Sequence, residues 1–179
     1  MVLLVVPLSS LEAANAEVYG PKAANQAALG HAGLPIPDGF CLSSEAYRVQ
    51  LETNNLKKVI EKLPNADNRE ARLIVNEIRM GLFDKSIASE ILEPLLEARS
   101  DLLGRTNAPL VVRSSALVED REGSSFAGQF ESFLGLADEK EFLTAVRACW
   151  AALWSVRALR YMGTHAIDPS DTAMALLIQ

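Results

Sequence analysis

Cysteine is scarce in this 179-residue chain: Cys41 and Cys149 are the two, each inside an apolar run. Thiols so placed read as buried small hydrophobes and exclude a disulfide framework, so a reducing, cytoplasmic setting is the expectation. Histidine is equally scarce, with His31 and His165 alone, and both read as incidental surface or helix-end residues. Nothing in the chain reads as a metal-ligand set or a catalytic nucleophile. Positive charge is short as well: 17 Lys and Arg stand against 23 Asp and Glu, for a net charge of −6. That argues against a nucleic-acid binder, which presents a basic face. It does not exclude a phosphate ligand, for which a few local cations suffice. Long apolar runs are missing too. The opening MVLLVVPL lacks a positive n-region and a small-residue cleavage site, so it reads as a strand and not a signal peptide. No run approaches the roughly 20 residues that span a bilayer. The remaining composition, 49% hydrophobic and 22% charged, is that of an ordinary globular domain with a real core.

Along the chain, residues 2–6 predict a buried strand ended by Pro7. A polar connection over 9–17 leads to Gly20-Pro21-Lys22 and an alanine-rich helix to Leu29. Pro21 suits a first helical position, where its missing N–H costs nothing. Lys22 then sits in a first turn that disfavours cations, which makes sense if an anion shares that helix start; a solvated surface lysine is the alternative. Residues 32–40, AGLPIPDGF, form a rigid turn into a short strand over 39–42, and Ser43 or Ser44 caps a helix over 45–51. Residues 53–63, 68–82 and 85–103 predict helices, with Leu73, Ile74, Ile78 and Leu82 along one face of the second. This stretch, about 53–104, reads as a helical insertion that builds bulk. Residues 138–154 predict an amphipathic helix, 156–163 its continuation, and Met174–Ile178 a last strand. That apolar strand is expected near a sheet edge, which would allow self-association to a homodimer through it.

Residues 110–136, LVVRSSALVEDREGSSFAGQFESFLGL, concentrate the chemistry. A strand ends in Arg113-Ser114-Ser115, an acidic loop follows, then a Gly/Ser-rich turn and a second strand. Arginine carries a fixed charge and a planar fork of donors suited to phosphate oxygens. The loop from Gly123 to Gly128 is built of small residues whose backbone N–H groups can approach phosphates closely. It is not a Walker A loop, because Gln129-Phe130 follow where Lys-Ser/Thr would stand, and the glycine spacing does not fit a dinucleotide-binding fingerprint. From composition alone, an equally good reading is a hairpin with a long exposed loop, Arg113 pairing with Glu119 or Asp120.

The segment VVRSSALVEDREGSSFAGQFESFLGL closely resembles the signature of the N-terminal nucleotide-binding domain of the phosphoenolpyruvate synthase and pyruvate phosphate dikinase family, which rifampicin phosphotransferase shares. GPKAAN resembles the family's GGKAAN, AGLPIPDGFCLSSEAY its AGLPVPPGF region, CWAALWSVRALRY its CWASLF segment, and MALLIQ its following strand. The resemblance therefore runs over nearly the whole chain. It implies an α/β (α+β) fold, the first part of an ATP-grasp domain occupying residues 1–179. It also implies an enzyme that uses ATP to phosphorylate a histidine on a swivelling domain, for transfer to pyruvate and phosphoenolpyruvate synthesis. The alternatives are transfer to an antibiotic hydroxyl, as in the rifampicin branch, and a truncated, non-catalytic nucleotide-binding module. Carried over by position, Lys22 and Arg113 resemble the phosphate-binding lysine and arginine, Gly128 lies in the loop over the phosphates, Ser132 occupies a nearby hydroxyl position, and Gln179 resembles the glutamine near the adenine. Pro21 departs from the family's second glycine. The second grasp subdomain with its Mg²⁺-holding acids, the phosphohistidine domain and the substrate barrel have no counterpart in the 179 residues. The chain alone is therefore expected to bind ATP weakly and transfer nothing.

Overall fold

The computed structural model describes residues 2–117 and 132–179. Among these residues five strands form one antiparallel sheet in the order β1-β2-β5-β3-β4, with β1 at Val5–Pro7, β2 at Phe40–Leu42, β3 at Leu110–Ala116, β4 at Ser132–Leu136 and β5 at Met174–Ile178. Among the described residues seven helices accompany them: α1 at Ala16–His31, α2 at Ser44–Thr53, α3 at Lys57–Ile60, α4 at Asn68–Phe83, α5 at Ser89–Thr106, α6 at Glu139–Ala152 and α7 at Val156–Thr164. This is an α+β fold, as expected.

Strand alternation divides the sheet into two faces. Phe40, Leu42, Val112, Ala116, Met174, Leu176 and Ile178 point to one side and join the main core with Tyr47, Ile78, Ile91, Phe142, Trp150 and Trp154. The helices of residues 53–104 contribute Leu56, Val59, Val75, Leu82 and Leu95 to that same core, so they are packed into the domain. On the opposite face Val6, Cys41 and Leu177 pack under α1 with Tyr19, Ala23 and Ala27. The alanine run of α1 lets the helix lie close on the strands.

Local sequence explains the helix starts. Asp67 caps α4 in a reciprocal capping box with Glu70, Asp138 caps α6 through the Glu141 N–H, and Ser43 caps α2 through the Ala46 N–H. Several expectations need correction. First, Met174–Ile178 is not an edge strand: it is paired on both sides, to β2 and to β3, and all five residues are buried. Self-association through it has no unpaired backbone to use; among the described residues the edges are β1 and β4. Second, Leu73 is 65% exposed, and Val75 takes its place with Ile78 and Leu82 on the buried side of α4. The helix expected over 53–63 is reduced to the single turn of α3 at Lys57–Ile60 and a short 3-10 turn at Leu63–Asn65. Residues 139–164 together are long and apolar enough to cross a membrane, contrary to the expectation that no stretch approached that length. They form the two helices α6 and α7, with Phe142, Val146, Trp150 and Met162 buried in the core.

Candidate functional site

The site-bearing part of α1 begins at a backbone break. Gly20 takes φ 80 and ψ 160, outside helical values, and Pro21 opens the second half of the helix. A side chain at Gly20 would need a strained positive φ. Its Cβ would also collide with Ser115, lying 2.6 Å from the carbonyl oxygen. The glycine thus lets α1 touch β3. Gly20 stands where a capping side chain would be, and it has none. The Ser115 hydroxyl, fully buried on β3, does that work by accepting from the Lys22 N–H at 3.1 Å. The Lys22 ammonium donates to the Ser114 carbonyl oxygen at 2.9 Å. An anion at this helix start, suggested by the lysine in the first turn, is not needed for the Lys22 N–H, which Ser115 already occupies.

Arg113 lies on β3 beside this junction. Its register partners are Leu177 on β5 and Ser132 on β4. Residues directly opposite each other in an antiparallel pair share a face. Arg113 and Ser132 are therefore on the α1 side of the sheet. Arg113 is half-buried and Ser132 exposed. Among the described residues the Arg113 side chain has no hydrogen-bond or ion-pair partner. Val111, two residues before Arg113, exchanges backbone hydrogen bonds with Gln179 at 2.7 and 3.0 Å. That places Gln179 on the same face, about 7 Å along the strand from Arg113. The Gln179 amide meets Gln26 of α1. Gly39 lies against the end of β5, where a Cβ would collide with the Ile178 carbonyl and approach Gln179 Cγ to 3.1 Å.

The structure thus gathers Lys22 of α1, Arg113 of β3, Ser132 of β4 and Gln179, just past the end of β5, on one side of the sheet. Gly128 and the loop around it lie outside the described residues. β4 contains a bulge between its Leu136 and Phe133 pairings, with Gly135 at φ 73. Leu134 beside it is 74% exposed. Sequence reasoning missed Gly20 as a contact point, Ser115 as a cap for α1, and Gln26. The glycine before Pro21 was a visible signal for the first; the other two need the tertiary fold.

The remaining titratable groups nearby are structural. Burial pushes the Cys41 thiol up to about 12, which keeps it a protonated, inert core group as the sequence suggested. Burial likewise raises Tyr19, whose hydroxyl donates to the Leu3 carbonyl, and Tyr47, whose hydroxyl accepts from the Trp154 indole at 2.7 Å. His31 sits at the end of α1 beside the Ser9 carbonyl, and His165 at the end of α7 stacks on Tyr161. Among the described residues no group of three or more His, Cys, Asp or Glu could hold a metal ion.

With its cations and hydroxyls arrayed on one face of an antiparallel sheet, this is an α+β domain of the nucleotide-binding class. Residues 16–179 match the profile of the pyruvate phosphate dikinase AMP/ATP-binding domain, and the chain belongs to that family. Among curated proteins it is 30% identical over 169 residues to a probable phosphoenolpyruvate synthase from Methanothermobacter thermautotrophicus, covering 90% of this chain and 25% of the relative. It is 33% identical to a phosphoenolpyruvate synthase from Aeropyrum pernix, covering 90% of this chain and 21% of that protein. It is 35% identical to the prodigiosin synthesizing transferase PigC from Serratia marcescens, covering 98% and 18% respectively. The chain therefore spans a quarter or less of the length of these relatives.

Proposed function

We propose that this chain is the ATP-binding portion of a dikinase-type phosphotransferase, the first part of an ATP-grasp domain. In the intact enzyme ATP would phosphorylate a histidine on a swivelling domain, which passes the phosphoryl group to pyruvate. The observation that carries this reading is the convergence of Lys22, Arg113 and Ser132 on one sheet face, with Gln179 at its end. Phosphoryl transfer needs charge neutralisation and positioning more than covalent chemistry from the protein. Arg113 supplies a fixed charge and a bidentate fork. Lys22 supplies a second cation from a different segment, held by Ser114 next to Arg113 in sequence. Ser132 adds a hydroxyl directly across from the arginine, and Gly128 belongs to the loop that would cover the phosphates. Gln179 offers an amide for the base.

ATP chemistry of this kind uses Mg²⁺, and the described residues gather no cluster of three or more His, Cys, Asp or Glu. The reading therefore assigns metal binding and the acceptor histidine to the second grasp subdomain and the phosphohistidine domain of the intact enzyme. The purified 179-residue chain is expected to bind ATP without turning it over. Steady release of AMP and phosphate from ATP by this chain would contradict that division of labour.

A second reading keeps the same ATP site and changes the acceptor. The similarity to PigC, a transferase named for prodigiosin synthesis, favours it as much as the synthase relatives favour pyruvate. The acceptor is chosen by domains other than this one. Phosphorylation assays on the intact protein, with pyruvate against hydroxyl-bearing or amine-bearing small molecules, separate the two.

A further inference from the structure

Gln26 and Gln179 lie 153 residues apart in sequence and meet side chain to side chain. The Gln179 amide nitrogen donates to the Gln26 oxygen at 2.7 Å, and the Gln26 nitrogen approaches the Gln179 oxygen at 3.5 Å. Both residues are half-buried. The pair closes one end of the junction between α1 and the sheet; the Lys22 contacts to Ser114 and Ser115 close the other. Lys22 and Gln26 are four residues apart on α1, hence on one helix face and about 6 Å apart along its axis. One rigid helix therefore carries both a phosphate-side cation and a partner for the base-side amide.

We propose that Gln26 is a positioning residue for base recognition: its amide oxygen holds the Gln179 side chain in place at the end of β5. This rests on the reading of the sheet face as an ATP site. A free glutamine side chain loses rotamer freedom when it is ordered. A Gln179 already tied to Gln26 has met part of that cost before ligand arrives. The short contact is an N–H of Gln179 to an acceptor on residue 26. An acceptor is therefore what the position must supply. Gly39 leaves the space beside Gln179 Cγ that this conformation needs.

The test is isothermal calorimetry of the full chain with two probes, ATP and inorganic tripolyphosphate, which has the phosphates and no base. Gln26→Met keeps the length of the side chain and removes the acceptor; Gln26→Glu keeps the acceptor. Circular dichroism melts confirm that each variant folds. Gln26→Met is expected to weaken ATP roughly 3- to 10-fold, the worth of one ordinary hydrogen bond, and to leave tripolyphosphate binding unchanged. Gln26→Glu is expected to keep ATP affinity close to wild type. Equal ATP affinity for wild type and Gln26→Met overturns the proposal, and so does an equal loss for ATP and tripolyphosphate, which would mark a merely structural contact. If tripolyphosphate binding to the wild type is absent or indifferent to Arg113→Ala, the ATP-site reading itself fails.

Discussion

The two faces of the sheet are built on opposite principles. The face carrying Val112, Leu176 and Ile178 is closed by α2, α4, α5, α6 and α7 and holds the large side chains, with Trp150 and Trp154 fully or almost fully buried. The face under α1 has a small cluster of eight buried residues, and its periphery is polar: Lys22, Gln26, Arg113, Ser115 and Gln179. Stability belongs to the first face, where burial is dense. The second face carries the proposed ATP site, where a thin apolar layer places charged and amide groups at defined positions on rigid elements. On the proposed reading, the difference teaches that this domain separates what holds it together from what it offers a ligand.

The sharpest way to break that comparison is to damage each face and read stability and binding separately. Trp150→Ala, on the dense face, is expected to cost about 3–5 kcal/mol of unfolding free energy, measured by denaturant titration. A cost below about 1 kcal/mol would mean the main core does not carry the fold. Next comes Cys41, the thiol beneath α1. Its folded-state value is raised to about 12 by burial, so the unfolded chain ionises first as pH rises. The native state then holds a proton that the unfolded state has lost, and stability falls with pH in that window. The wild type is expected to lose about 1–2 kcal/mol more than Cys41→Ala between pH 8 and 10, where an unfolded thiol ionises and the buried one does not. Parallel pH profiles for the two proteins would show that Cys41 is not buried as described. The smallest effect is at Ser115. Removing the hydroxyl that caps α1 from β3 is expected to cost about 1 kcal/mol in Ser115→Ala. It should also lower ATP affinity through Lys22, whereas a loss of stability with no change in binding would detach the α1 junction from the site.

The sequence and the three-dimensional arrangement agree best where the signal is local. The strand Met174–Ile178, the helix after Asp138 and the helix after Asp67 follow from apolar patterning and capping residues that are close in sequence. Strand order is not local. The terminal strand was expected at an edge, yet MALLI is apolar at every position. A continuous apolar run is the pattern of a strand covered on both faces, and β5 is the central strand. Leu73 and Val75 show the limit of periodicity: both fit an apolar stripe on α4, and only packing against α6 and α3 decides which one turns inward.

At the site, the residue types were readable and their partnerships were not. An arginine where an apolar strand turns polar, and a lysine after Gly-Pro, marked Arg113 and Lys22 as candidates. That Ser115 would cap α1, and that Gln26 would meet Gln179, depends on contacts between segments 93 and 153 residues apart. No local pattern encodes such contacts.

The central claim is that the polar face grips the phosphates of ATP through Arg113. Calorimetric titration of ATP into wild type and Arg113→Ala, with unfolding free energies measured alongside, tests it most directly. The account predicts a loss of roughly 10-fold or more in ATP affinity, the worth of a charge-assisted hydrogen bond, with unfolding free energy changed by less than about 1 kcal/mol. Equal ATP affinity in the two proteins would contradict it.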